Sequence, residues 1–113
     1  MNWEKELESF IPEVEKLIAS KDSVILERLV ELQNKCFAKA KDDCEKFVNC
    51  MMDPMKKVSK EEKKLEWRIT FDQFKIGECF KNSGGEPITM EECKIRARDR
   101  INKSFQTFVN SIQ

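Results

Sequence analysis

From Asp22 to Met52 the apolar residues recur every three or four positions, at Ile25, Leu29, Leu32, Cys36, Ala40, Cys44, Phe47 and Met51. At about 100° per residue these fall in one stripe roughly 100–120° wide, which predicts a single long amphipathic helix over 22–52. Upstream, Trp3, Leu7, Phe10, Val14 and Leu17 alternate spacings of four and three, the seam of a helix over 3–19 that needs a partner. Pro12 predicts a kink there or a restart, and Ser20–Ser23 offers capping side chains between the two helices. Asp53-Pro54 predicts the end of the long helix, since a residue before proline is pushed out of the α region. The capping box Ser59-Lys-Glu-Glu62 then opens a third helix over 60–81.

That third helix carries two stripes. Leu65, Ile69, Ile76, Cys79 and Phe80 lie on one side, with Trp67, Phe71 and Phe74 roughly opposite. Asn82–Pro87 is a loop in which Gly84 suits a φ > 0 position, and Gly84-Gly85 has only the role of a hinge. A second capping box, Thr89-Met-Glu-Glu92, opens a fourth helix over 90–112, with Met90, Cys93, Ala97, Ile101, Phe105, Phe108 and Ile112 on one face. The expected fold is all-α. It is an antiparallel four-helix arrangement of helical hairpins in one domain, 1–113, with the third helix central and the second overlong.

Composition narrows the function classes. Lys plus Arg and Asp plus Glu number 21 each, so no global field recruits nucleic acid. Apolar runs of three or four residues fall far short of the roughly 20 that span a bilayer, and no transmembrane segment is expected. Histidine is absent, which removes the commonest general base and neutral metal ligand. Neither C-x-x-C nor a close zinc-type cysteine spacing occurs, and no cysteine has a histidine to activate it. No catalytic, cofactor or metal site is expected.

Five cysteines occur in 113 residues, yet the N-terminus has no apolar secretory core. Met1–Glu6 also lacks the Arg-rich, acid-poor character of a cleavable transit peptide. The mitochondrial intermembrane space reconciles these facts, because it imports small cysteine proteins without presequences and traps them by oxidation. The alternative is a cytoplasmic protein whose thiols are reduced and packed.

Folded about Gly84-Gly85, Cys79 stands level with Cys93; folded about Pro54, Cys36 comes within about one turn of Cys79. A disulfide needs Cα atoms within about 7 Å, so Cys36, Cys79 and Cys93 compete for one bond. Cys79–Cys93 is favoured, with Cys36–Cys79 and Cys36–Cys93 behind it, and Cys44 and Cys50 are expected as core thiols. Thirteen residues lie between Cys36 and Cys50, and thirteen between Cys79 and Cys93. Two equally spaced pairs on helices resemble the twin C-x(n)-C proteins of the intermembrane space, the coiled-coil-helix-coiled-coil-helix family. That resemblance implies two antiparallel helices stapled by Cys36–Cys93 and Cys50–Cys79. A helix over 60–81 would separate Cys50 from Cys79 by roughly 30 Å, so the two pairings are alternatives.

Lys56, Lys57, Lys60, Lys63 and Lys64 are offset by Glu61, Glu62 and Glu66, as on a solvated helix start. Arg96, Arg100 and Lys103 form a basic ridge opposite the apolar face of the fourth helix, suited to an anionic lipid surface or an acidic partner. Trp3, Leu7, Phe10, Trp67, Phe71 and Phe74 are the candidates for contact with other subunits. The expectation is a non-catalytic accessory subunit of a mitochondrial inner-membrane complex, of the respiratory chain or ATP synthase, peripheral on the intermembrane-space side. The alternative is a cytosolic helical adaptor with reduced core cysteines. A thiol-redox or import factor would need a reactive exposed cysteine.

Overall fold

The computed structural model describes residues 2–112. Four helices carry nearly all of them: α1 (Trp3–Ser20), α2 (Asp22–Ala40), α3 (Cys44–Asn82) and α4 (Pro87–Ser111). The fold is all-α, with disulfide-linked cysteine pairs joining α2 to α3 and α3 to α4.

Asn2 caps α1, its side-chain oxygen accepting from the Glu4 amide at 3.0 Å. Pro12 sits within α1 without restarting it. The separation from α2 is the single residue Lys21, still in the right-handed helical region at φ −85°, ψ −15°. The Lys21 amide donates to the Ile18 carbonyl, and the Lys21 carbonyl accepts from Val24. The two helices therefore continue in nearly one direction.

The 22–52 helix expected from the sequence is corrected here. The chain turns at Lys41–Asp43, where Lys41 adopts φ 54°. Asp43 then caps α3, accepting from the amides of Glu45 and Lys46 at 3.1 and 3.2 Å. The apolar spacing misleads because Ala40, Cys44 and Phe47 keep the three-and-four rhythm straight through the turn. The expected 60–81 helix is corrected as well: α3 runs through Pro54 and the Ser59 box without a break. Pro54 costs the Cys50 carbonyl its helical donor. The turns on either side are held, by the Cys36–Cys50 bond before it and by buried Val58 after it. The overlong helix is thus α3, and α3 contacts each of the other three.

The α3–α4 turn uses the two glycines as expected, with φ 63° at Gly84 and 82° at Gly85. The fourth helix begins earlier than 90. Glu86 is its cap, accepting from the Ile88 and Thr89 amides at 3.2 and 2.8 Å, and Pro87 takes the first helical position. The Thr89 hydroxyl donates to that same carboxylate rather than capping the helix itself.

The molecule is a rod of 64 × 18 × 17 Å with a radius of gyration of 18.9 Å, against about 13 Å for a compact domain of this length. At 1.5 Å per residue α3 covers about 58 Å of it. One end is a three-helix bundle of α1, α4 and the second half of α3. Its core is built on Phe10, Val14, Ile76, Phe80, Ile101 and Phe108. α1 lies alongside α4 in the same direction, with Glu6 3.8 Å from Lys94 and Glu13 2.7 Å from Arg98. The other end is a two-helix arm, α2 against the first half of α3.

Candidate interaction surfaces

Leu65, Ile76 and Phe80 face the core of α3, so residues about half a turn away must face solvent. Trp67, Phe71 and Phe74 are those residues, at 69%, 54% and 63% exposure. Their spacing of four and three lays the rings in one line on the outer side of the rod. Lys75 holds its ammonium 5.5 Å from the Phe71 ring and pairs with Glu78 at 3.2 Å. Beyond Phe74 the stripe runs into a hollow of about 420 Å³ against α1, bordered by Trp3, Leu7, Phe74 and Gly77. A β-carbon at Gly77 would meet nothing within 4 Å, so the glycine leaves the floor of this hollow open.

The six contact candidates therefore divide. Trp67, Phe71 and Phe74 are exposed, while Trp3 and Leu7 are half-buried at the edge of the hollow. Phe10 is corrected: it is 2% exposed, stacked 5.8 Å from Phe80, with the Arg98 guanidinium 5.6 Å from its ring. α4 covers the part of the α1 seam that the sequence left unpartnered.

A second apolar surface lies on the arm. Leu26, Val30 and Phe37 of α2 and Val48, Met52 and Met55 of α3 are all exposed. All but Met55 directly follow a residue of the inward stripe, about 100° further round the helix. In an antiparallel pair these following positions fall on the same side of the hairpin. The stacking of Phe37 on Phe47, with centroids 4.3 Å apart, marks where the two helices share that side. The doublets Ile25-Leu26, Leu29-Val30, Cys36-Phe37, Phe47-Val48 and Met51-Met52 were the available signal: a stripe wider than one neighbouring helix can cover.

The cysteines are arranged as two separate hairpin staples. Cys79 and Cys93 are bonded with Cα atoms 5.8 Å apart, and Cys36 and Cys50 with Cα atoms 5.6 Å apart. This corrects Cys36–Cys79, Cys36–Cys93 and Cys50–Cys79 together. Turning the chain at Lys41–Asp43 instead of Pro54 puts Cys36 level with Cys50, far along α3 from Cys79. Nor are Cys44 and Cys50 core thiols, since Cys50 is bonded and Cys44 is free and exposed at the start of α3.

Arg96 and Arg100 stand exposed on α4 over the cleft it makes with α3, and exposed Lys103 continues the line. Buried at that interface, Asp72 of α3 accepts the Ser104 hydroxyl at 2.6 Å. Among the described residues no helix is long and apolar enough to cross a membrane.

Comparison with known proteins finds no matching family model, curated protein or solved structure.

Proposed function

We propose that this chain is a non-catalytic accessory subunit of a mitochondrial inner-membrane complex, of the respiratory chain or the ATP synthase, held on its intermembrane-space side. The observation that carries the docking role is the Trp67–Phe71–Phe74 line on the outer side of a 64 Å rod. Three aromatic rings aligned on one helix face are the composition of an interface centre, where aromatic anchors dominate affinity. The two cysteine pairs at bonding distance favour an oxidising compartment over the cytosolic alternative. A rod with little core for its surface suits a brace laid along larger subunits.

The test is native electrophoresis and co-purification of tagged chain from gently solubilised mitochondria, with a photo-cross-linking residue in place of Trp67. Comigration with an inner-membrane complex and cross-links to its subunits are expected, and Phe71→Glu should abolish both. A chain that fractionates with cytosol carrying five free thiols would overturn the proposal in favour of the adaptor.

A further inference from the structure

Four cations gather over the groove between α3 and α4, where the carboxylates beside them are Asp72, Glu78 and, near Arg68, Glu61. Arg96, Arg100 and Lys103 rise from α4 at spacings of four and three, and Arg68 reaches in from α3. None of the four takes part in an ion pair among the described residues. The contrast lies within α4 itself. Lys94 and Arg98, on the α1 side, are neutralised by Glu6, Glu91 and Glu13. The chain's charges sum to zero, so this concentration is a matter of placement and not of composition.

The groove has two hollows that meet at Arg100. One, of about 300 Å³, is bordered by Lys75, Asn82, Arg96 and Arg100. The other, of about 210 Å³, is bordered by Arg68, Arg100 and Lys103, with Asp72 and Ser104 also in its lining. The acids at the groove have other partners: Asp72 is 5% exposed and takes the Ser104 hydroxyl, Glu78 pairs with Lys75, and Glu61, near Arg68, pairs with Lys64. Arg68 Nη1 is buried without an acceptor. Guanidinium forks present paired N–H donors that match the oxygens of a phosphate group, and their charge is fixed at every physiological pH.

We infer that this groove binds a phosphate-bearing ligand, either a soluble organic phosphate or a phospholipid headgroup. Arg96 and Arg100 grip the phosphate oxygens, and Lys103 and Arg68 extend the field along the groove over about 10 Å. The site stands apart from the aromatic face of α3 and does not depend on the docking role proposed above.

The test uses the oxidised full-length chain at low salt with two probes. Pyrophosphate is titrated calorimetrically, and sedimentation is measured with phosphatidylcholine vesicles with and without phosphatidylglycerol. The compared variants are Arg96→Gln/Arg100→Gln/Lys103→Gln and a control with the same charge change, Lys56→Gln/Lys57→Gln/Lys60→Gln. Far-UV circular dichroism checks that both keep their helicity, and Arg100→Gln alone serves if the triple variant does not. Loss of charge-assisted hydrogen bonds should weaken binding by about tenfold or more in the groove variant and leave the control unchanged. Pyrophosphate binding lost in the groove variant supports a soluble phosphate. Binding only to phosphatidylglycerol vesicles, lost in the same variant, supports the headgroup. Binding to neither probe, or equal binding by both variants, overturns the inference.

Discussion

Cys36 of α2 and Cys50 of α3 are bonded across the Lys41–Asp43 turn, fourteen positions apart in sequence and 5.6 Å apart between Cα atoms. The same separation in sequence, with 5.8 Å between Cα atoms, joins Cys79 of α3 to Cys93 of α4. The repeated spacing is thus a repeated local device, one staple per hairpin. The two bonds hold ends of very different construction. Cys93 lies in the packed three-helix bundle, whereas Cys50 sits in an arm of two helices.

Peptide mapping after alkylation without reduction should recover Cys44 as the modified thiol, with Cys36 linked to Cys50 and Cys79 to Cys93. Cys44→Ser should shift stability by no more than about 0.5 kcal/mol, as for an exposed site without partners. A Cys36–Cys93 or Cys50–Cys79 link would refute the position of the α2–α3 turn.

Removing the arm staple should act locally. Closing a loop of about 15 residues contributes on the order of 3 kcal/mol in the chain-entropy picture. With Cys36→Ser/Cys50→Ser the loss should show as faster amide exchange in α2 and the first half of α3, while Phe80 and Ile101 keep their protection. Uniformly accelerated exchange along the whole rod would show that the arm and bundle unfold as one unit.

Core and stripe aromatics should separate cleanly by mutation. Phe80 is fully buried, and Phe80→Ala should cost about 3–5 kcal/mol. Phe71→Ala removes a ring that covers no core and should change the isolated chain by about 0.5 kcal/mol or less, while weakening its association with partners. Urea denaturation gives both numbers. A large loss from Phe71→Ala would make the stripe structural.

The buried Asp72–Ser104 bond should be worth more than its size suggests. Ser104→Ala leaves the buried Asp72 carboxylate without that hydroxyl, a loss of about 1.5–3 kcal/mol for a hydrogen bond to a charged group. Asp72→Asn/Ser104→Ala should recover part of it, because the charge has gone. If the double variant is no better than Ser104→Ala alone, charge is not the source of the cost.

Acid should destabilise the fold through two glutamates. Partial desolvation pushes the Glu61 carboxyl upward, but the hydrogen bond and charge of Lys64 and the nearby charge of Arg68 outweigh it, leaving Glu61 below its ordinary value of 4.5. The Thr89 hydroxyl and amide, with the Ile88 amide, hold Glu86 below the same value. A group with a depressed pKa binds fewer protons folded than unfolded. Its stabilisation is complete above the unfolded value and is lost as pH falls through the folded one. Urea midpoints should therefore fall as pH is lowered below 4.5, less steeply in Glu61→Gln/Glu86→Gln. Equal slopes in the two proteins would remove these carboxylates as the cause.

Much of this was legible in the sequence. Helicity follows from three-and-four spacing that any amphipathic helix must show, and the Gly84-Gly85 turn from the left-handed φ that only glycine adopts freely. The outward stripe of Trp67, Phe71 and Phe74 follows from its opposition to Leu65, Ile76 and Phe80 on one wheel. The basic line Arg96–Lys103 follows likewise from its opposition to the core face of α4. These are properties of a single helix, and the order of residues fixes them.

What lay beyond the sequence was every question of which surface meets which. Ala40, Cys44 and Phe47 read as one stripe whether the chain runs straight or turns, because the three-and-four rhythm carries no mark of the turn between them, and the turn leaves Cys44 exposed. The Asp43 cap and the packing of α2 against α3 decide for the turn. Pro54 reads as a stop, yet a helix stapled one turn before it and buried one turn after it carries the lost hydrogen bond. Phe10 and Phe71 are alike as residues on an apolar stripe, and only the placement of α4 over α1 buries the first and leaves the second in solvent. The cysteine partners followed from the same choice. A disulfide joins atoms a few ångströms apart, and that proximity is set by where the chain turns, not by the spacing along it.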